Sequence, residues 1–139
     1  MNITFINQTK EKIPQSLIKK IGAAVKKIFK NHKFFLSELN FIFTNDKKIK
    51  EINKKYLGKN RPTDVIAFSY PENAGIKTAD IFISLETAKK NSKIYQLTFK
   101  TEILILSIHG TLHLCGYEDR SYLEKKRMSI ACLKILNSI

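Results

Sequence analysis

The chain has 139 residues, 43% hydrophobic and 27% charged, with 25 Lys+Arg against 12 Asp+Glu and a formal net charge of +13. That length fits one domain able to bury about two thirds of its unfolded surface without a disulfide or metal staple, and the balance excludes a disordered chain. The charge excludes an acidic tail protein and argues against a strongly basic protein substrate. It points to a polyanion, without separating RNA from DNA, a ribosome or an anionic membrane.

In chain order, residues 2–7 are short and β-branched and read as a strand. Residues 13–31 place apolar side chains at 17, 18, 21, 25, 28 and 29, a helical period with lysines opposite, and Pro14 suits the first turn. Residues 38–45 alternate Leu39, Phe41 and Phe43 as a strand does. Residues 46–57 set Ile49, Ile52 and Tyr56 on one helical face, ended by Gly58. Residues 63–70 and 78–85 are two more strands, a hairpin with a long PENAG loop. Ser84 caps a helix over 85–95. Residues 98–115 are apolar nearly all round, which marks a central buried helix, and Gly116 stops it. Residues 121–136 form a last amphipathic helix. The pattern is α+β: a sheet of about four strands with about five helices, in one domain spanning 1–139.

The charge is uneven. Residues 1–60 hold 14 basic and 4 acidic residues, net +10; residues 61–139 hold 11 and 8, net +3. No basic and then apolar leader is visible, and the apolar stretch 103–115 is too short to span a bilayer. The two cysteines, Cys115 and Cys132, read as reduced thiols in a cytoplasmic protein and as small buried hydrophobes.

The segment SIHGTLHLCGYEDR, residues 107–120, carries the chemistry. His109 and His113 are one helical turn apart and leave the same face. Two ring nitrogens so placed reach one ion at zinc–nitrogen distances of about 2.0–2.1 Å. Gly116 turns the chain, and Asp119 arrives ten residues after His109. These offsets, with Gly at the eighth place, match the ligand spacing of H-E-x-x-H-x-x-G-x-x-H metalloproteases. Three ligands leave a fourth position for water. The protease base is missing, because Gly110 stands where its Glu belongs. Cys115, about 160° round the helix from His113, is not a ligand. The competing reading is two half-buried histidines on a core helix. His32, after a lysine-rich helix, reads as a surface residue.

At these residues the chain resembles the YbeY endoribonucleases, whose signature is H-G-x-L-H-L-x-G-Y-D-H. Seven of its nine fixed positions match: His109, Gly110, Leu112, His113, Leu114, Gly116 and Tyr117. Residues 62–68, PTDVIAF, resemble the family's P-T-D-V-L-S-F, and residues 79–84, ADIFIS, its G-D-I-x-I-S. The resemblance implies a mixed sheet with helices and one zinc per chain in a cleft. It implies a single-strand-specific endoribonuclease of 16S rRNA 3′-end maturation and ribosome quality control. Its partners are then ribosomal RNA and the small ribosomal subunit, with no membrane and no organic cofactor. Zinc ligation carries over to His109 and His113.

Two positions depart. Asp119 stands where the family has its third His, and Asp also ligates zinc, though its charge leaves the metal less Lewis-acidic. A one-residue slip would put Arg120 there, and Arg cannot ligate. Leu57 replaces an arginine that in the family is a candidate phosphate binder; Arg61 takes over that role from another place. The catalytic residues stay unassigned, with Arg61 and Asp64 as candidates and either a water or the substrate 2′-hydroxyl as nucleophile. Asp64 and Asp80 either shape the cleft or, for Asp64, cap backbone N–H groups at a strand start. Lys47, Lys48, Lys54 and Lys55 suit phosphate contacts or a solvated helix face, and the phenylalanines at 34, 35, 41 and 43 suit base stacking or the core. Two other functions compete: a non-catalytic RNA- or ribosome-binding assembly factor with a structural or degraded zinc site, and a zinc peptidase.

Overall fold

The alternation of Leu39, Phe41 and Phe43 and the helical stripe of Leu17, Ile21, Val25 and Ile28 bury one and the same core. The computed structural model describes residues 1–139. Its elements are β1 (Asn2–Asn7), α1 (Gln15–Asn31), β2 (Glu38–Thr44), α2 (Asp46–Leu57), β3 (Val65–Ser69), β4 (Thr78–Ser84), α3 (Leu85–Ile94), α4 (Phe99–Leu114) and α5 (Tyr122–Leu136). The sheet order is β1-β2-β4-β3. The first three neighbours run parallel and β3 runs antiparallel to β4, so this is the mixed, four-stranded α+β architecture with five helices that was expected.

Helix α4 touches α1, α3, α5, β3 and β4. That surround explains its lack of a polar face. A helix covered on every side gains by burying apolar atoms all round. The opposite sheet face is covered by α2, whose Ile49 and Ile52 meet Ile66, with Phe68 and Phe82 beside them. Phe41 and Phe43 are fully buried and Phe34 packs on Phe29, so these rings serve the core; Phe35 alone stays 62% exposed.

Several boundaries shift. Pro14 is the N-cap of α1, with extended backbone (φ −62°, ψ 146°), rather than part of its first turn. Its ring fixes φ but leaves ψ free to enter from a loop. The hairpin strands are shorter than expected: Ser84 is the last residue of β4, paired with Thr44, and its hydroxyl caps α3 by accepting from the Thr87 N–H at 3.2 Å. The hairpin tip closes on itself: Asn73 and Ile76 exchange two hydrogen bonds around Ala74 and Gly75, both at positive φ. A two-residue hairpin turn of that hand demands this. Cys132 is buried and Cys115 half-buried, and burial pushes both thiols up to about 11. No helix is long and apolar enough to cross a membrane.

Candidate metal centre and cleft

The centre is built on the last turns of α4 and the loop after it. Gly110 lies directly against Ile81 and Val65 of the sheet, which fixes the roll of the helix about its axis. With Gly110 facing the strands, His109 and His113 share a different, half-buried side. The helix ends in a Schellman motif. The Gly116 N–H bonds to the His113 carbonyl at 3.0 Å and the Tyr117 N–H to the Leu112 carbonyl at 3.1 Å. Gly116 takes φ +101°, open to glycine and strained for other residues.

That turn places the Tyr117 carbonyl over the His113 ring. Nδ1 of His113 lies 2.9 Å from it. A carbonyl only accepts, so Nδ1 carries a proton, and in the neutral ring Nε2 then keeps its lone pair. This is the tautomer and the backing bond that metal-binding histidines use. The free Nε2 stands 3.5 Å from Oδ2 of Asp119. Two donors on one tetrahedral zinc, each about 2.0–2.2 Å from it, lie about 3.3–3.6 Å apart. His113 and Asp119 thus have the spacing of a ligand pair. Burial lowers the proton affinity of His109; Asp64, and more weakly Asp119, oppose this, while His113 adds to it. A neutral imidazole is the ligating form. No three His, Cys, Asp or Glu side chains stand close enough together to hold a metal ion. The donor chemistry fits zinc, with two positions in register and the third one turn back on the same helix.

His113 and Asp119 open into a cleft of about 610 Å³, also lined by Leu57, Lys59, Arg61, Asp64 and Glu118. The buried Asn53 shapes its wall. Its side-chain amide donates to the Arg61 carbonyl at 2.8 Å and ties the 58–62 loop to α2. Asp64 serves both roles considered for it: its Oδ1 accepts from the Val65 N–H at 2.8 Å, and the side chain lines the cleft. Asp80 is not a cleft residue; it accepts from Asn40 at 3.0 Å and from the Tyr70 hydroxyl at 2.9 Å. Burial and that bond push the Tyr70 phenol up to about 12. Lys47, Lys48, Lys54 and Lys55 are exposed on α2 and none lines the cleft, whereas Arg61 does. Arg120 faces Glu118 and Glu124, at 3.8 and 4.0 Å.

Sequence reasoning missed Lys59, Asn53, the carbonyl of Tyr117 and a tie from His32 to the Tyr117 hydroxyl. It also missed Glu102, 2% exposed two turns before His109 on α4. Tyr117 sits inside the matched signature, but nothing in spacing marks its main chain as a partner.

The arrangement is a helix-borne histidine pair with a carboxylate, beside a polar cleft that carries both cations and carboxylates. A family model described as Endoribonuclease YbeY matches residues 3–139. An endoribonuclease YbeY of Acholeplasma laidlawii is 35% identical over 137 residues, 99% of this chain and 96% of that one. That of Amoebophilus asiaticus is 36% identical over 124 residues, 89% of this chain and 83% of its own. The solution structure of TM1509 from Thermotoga maritima superposes with a TM-score of 0.63 at 25% identity, covering 98% of this chain and 90% of that one. The chain belongs to the YbeY endoribonuclease family.

Proposed function

We propose that residues 1–139 work as one zinc-dependent endoribonuclease domain, specific for single-stranded RNA. Its place is in the cytoplasm, in 16S rRNA 3′-end maturation and ribosome quality control on the small subunit. The observation that carries this reading is His113: its Nδ1 is bonded to the Tyr117 carbonyl and its Nε2 faces Asp119 across 3.5 Å, at the wall of a cleft that also holds Lys59 and Arg61.

His109, His113 and Asp119 would hold the metal. When bound, zinc supplies a Lewis acid that stabilises phosphoryl charge and acidifies a water. The protein's own part is to place the RNA. Lys59 and Arg61 offer cations to the backbone phosphates from the cleft wall, and the exposed lysines of α2 extend that field along the strand. Asp64 faces the same cleft, where it is placed to order a water or take up a proton.

The test is cleavage of a labelled single-stranded RNA by zinc-loaded protein, wild type beside His113→Ala. Cleavage that falls to background in the variant, with the fold intact by circular dichroism, supports the reading. Equal cleavage overturns it. A second reading, RNA binding without cleavage, is favoured by Leu57, an apolar side chain on the cleft wall where the family resemblance expects arginine. It requires binding that survives a chelator and no cleavage in either protein.

A further inference from the structure

His32 lies 85 residues from the Tyr117 ring it touches, and outside the three sequence motifs at 62–68, 79–84 and 109–119. It closes α1: its backbone N–H and its Nδ1 both reach the Ile28 carbonyl, at 3.0 and 2.9 Å. Since that carbonyl can only accept, Nδ1 is the protonated nitrogen and Nε2 of the neutral ring is an acceptor. The Tyr117 hydroxyl donates to it at 3.0 Å, and the two rings meet edge to face at 5.3 Å. Tyr117 in turn is bound to α4 at both ends of its peptide, its N–H to Leu112 and its carbonyl to the His113 ring. The hydroxyl is its only hydrogen bond to anything outside α4.

We propose that His32 is a positioning residue of the metal centre, acting through Tyr117. A chain of hydrogen bonds runs from the Ile28 carbonyl through the His32 ring to the Tyr117 hydroxyl, and from the Tyr117 carbonyl to Nδ1 of His113, whose Nε2 faces Asp119. His32 anchors the 115–119 loop to α1, so the backing bond on His113 and the approach of Asp119 do not depend on the end of α4 alone. Helix ends fray without such ties, and ligand geometry is sensitive to the groups behind the ligands. The inference rests on the reading of His113 as a ligand, but the clamp is a property of the metal-free protein as well.

Two measurements separate these. The first is exchange of the His113 Nδ1 proton in metal-free protein, read by NMR. The second is zinc affinity by competition with a chelator. His32→Ala and Tyr117→Phe should each speed that exchange about tenfold and weaken zinc about tenfold, the low end of what outer-shell changes do. His32→Gln, which keeps an acceptor for the hydroxyl, should recover part of both, and Phe35→Ala, on the same connection but exposed, should change neither. Wild-type exchange and wild-type zinc affinity in both His32→Ala and Tyr117→Phe overturn the proposal. Should His32→Ala fail to fold, Tyr117→Phe decides, since it removes one oxygen. If wild-type protein takes up no zinc, the zinc reading fails, and proton exchange alone decides on the clamp.

Discussion

A Cβ placed on Gly110 would lie 2.7 Å from Cγ2 of Ile81 and 3.1 Å from Cγ2 of Val65, inside contact distance of two branched side chains held in the sheet. Ile81 is fully buried and its branch methyl cannot swing clear. Helix α4 therefore lies on the strands with no room for a side chain between them. This is the physical reason that a metalloprotease glutamate has no place next to His109, and it disposes of the peptidase reading on geometry rather than on a missing letter. Gly110→Ala should lower stability. Overpacking costs about 1–3 kcal/mol, against about 1 kcal/mol gained in helix propensity. Thermal melting should show a lower Tm for the alanine variant, and Gly110→Glu should yield neither a stable fold nor peptide hydrolysis. An alanine variant more stable than wild type would mean that α4 is not seated this closely.

Asp119 is the exposed member of the proposed ligand set, 54% accessible at its side chain. Asp119→Ala should cut zinc affinity more than about 100-fold, beyond what outer-shell changes cost. Asp119→His replaces an anionic ligand by a neutral one and should keep zinc while raising the cleavage rate, because the metal then remains the stronger Lewis acid. Zinc content after dialysis, measured on purified protein, checks the first. Single-turnover cleavage checks the second. Undiminished zinc in Asp119→Ala would remove Asp119 from the set.

Glu102 sets up a pH dependence that has nothing to do with the metal. Oε2 has no hydrogen-bond partner, and burial, with a smaller push from the charge of Asp64, raises the carboxyl from 4.5 to about 7. The folded state holds this proton more tightly than the unfolded chain does. Its stabilising contribution is therefore complete below about pH 4.5 and is lost as the pH rises to about 7, where the folded group ionises. A shift of that size is on the order of 3 kcal/mol. Glu102→Gln keeps the shape without the charge. Its Tm should stay flat where that of wild type falls, and should exceed wild type at about pH 8. Parallel curves would mean that the carboxylate is ionised in the fold without cost.

The architecture was legible because its signals are local. A two-residue alternation put Phe41 and Phe43 inside, a stripe-free apolar run marked α4 as the helix with neighbours all round, and Ser84 announced α3 through its hydroxyl. That His109 and His113 share a half-buried side of α4 was legible for the same reason, as one turn of helix separates them. What was not legible depends on chain folded back from elsewhere. The tie from His32 to Tyr117 spans 85 residues, and the grip of Asn53 on the Arg61 carbonyl uses a main-chain atom that every residue possesses. The lysines of α2 lie on its exposed face, outside the cleft. Their charge is real, but a helix has a single face toward the cleft, and Lys59 and Arg61 in the loop beyond it are the cations that reach the site.

That division of the positive charge has a measurable consequence. Leu57 is half exposed on the cleft wall, beside Arg61 and Lys59, and is the residue that departs from the family resemblance. Each phosphate contact made by a cation releases about one counterion, so removing one lowers the salt slope of RNA binding by about one. Arg61→Ala should weaken binding to a single-stranded oligonucleotide at low salt, with the slope reduced by about one, irrespective of base sequence. Leu57→Arg adds a cation at the same wall and should do the reverse. Lys47→Ala, on the exposed face of α2 outside the cleft, should lower affinity without lowering cleavage at saturating RNA. Fluorescence anisotropy across a salt series reads the slopes and a saturating-RNA assay reads the rates. If Arg61→Ala leaves the slope as it was while Lys47→Ala lowers it, the RNA backbone runs along α2 and not through the cleft that His113 and Asp119 face.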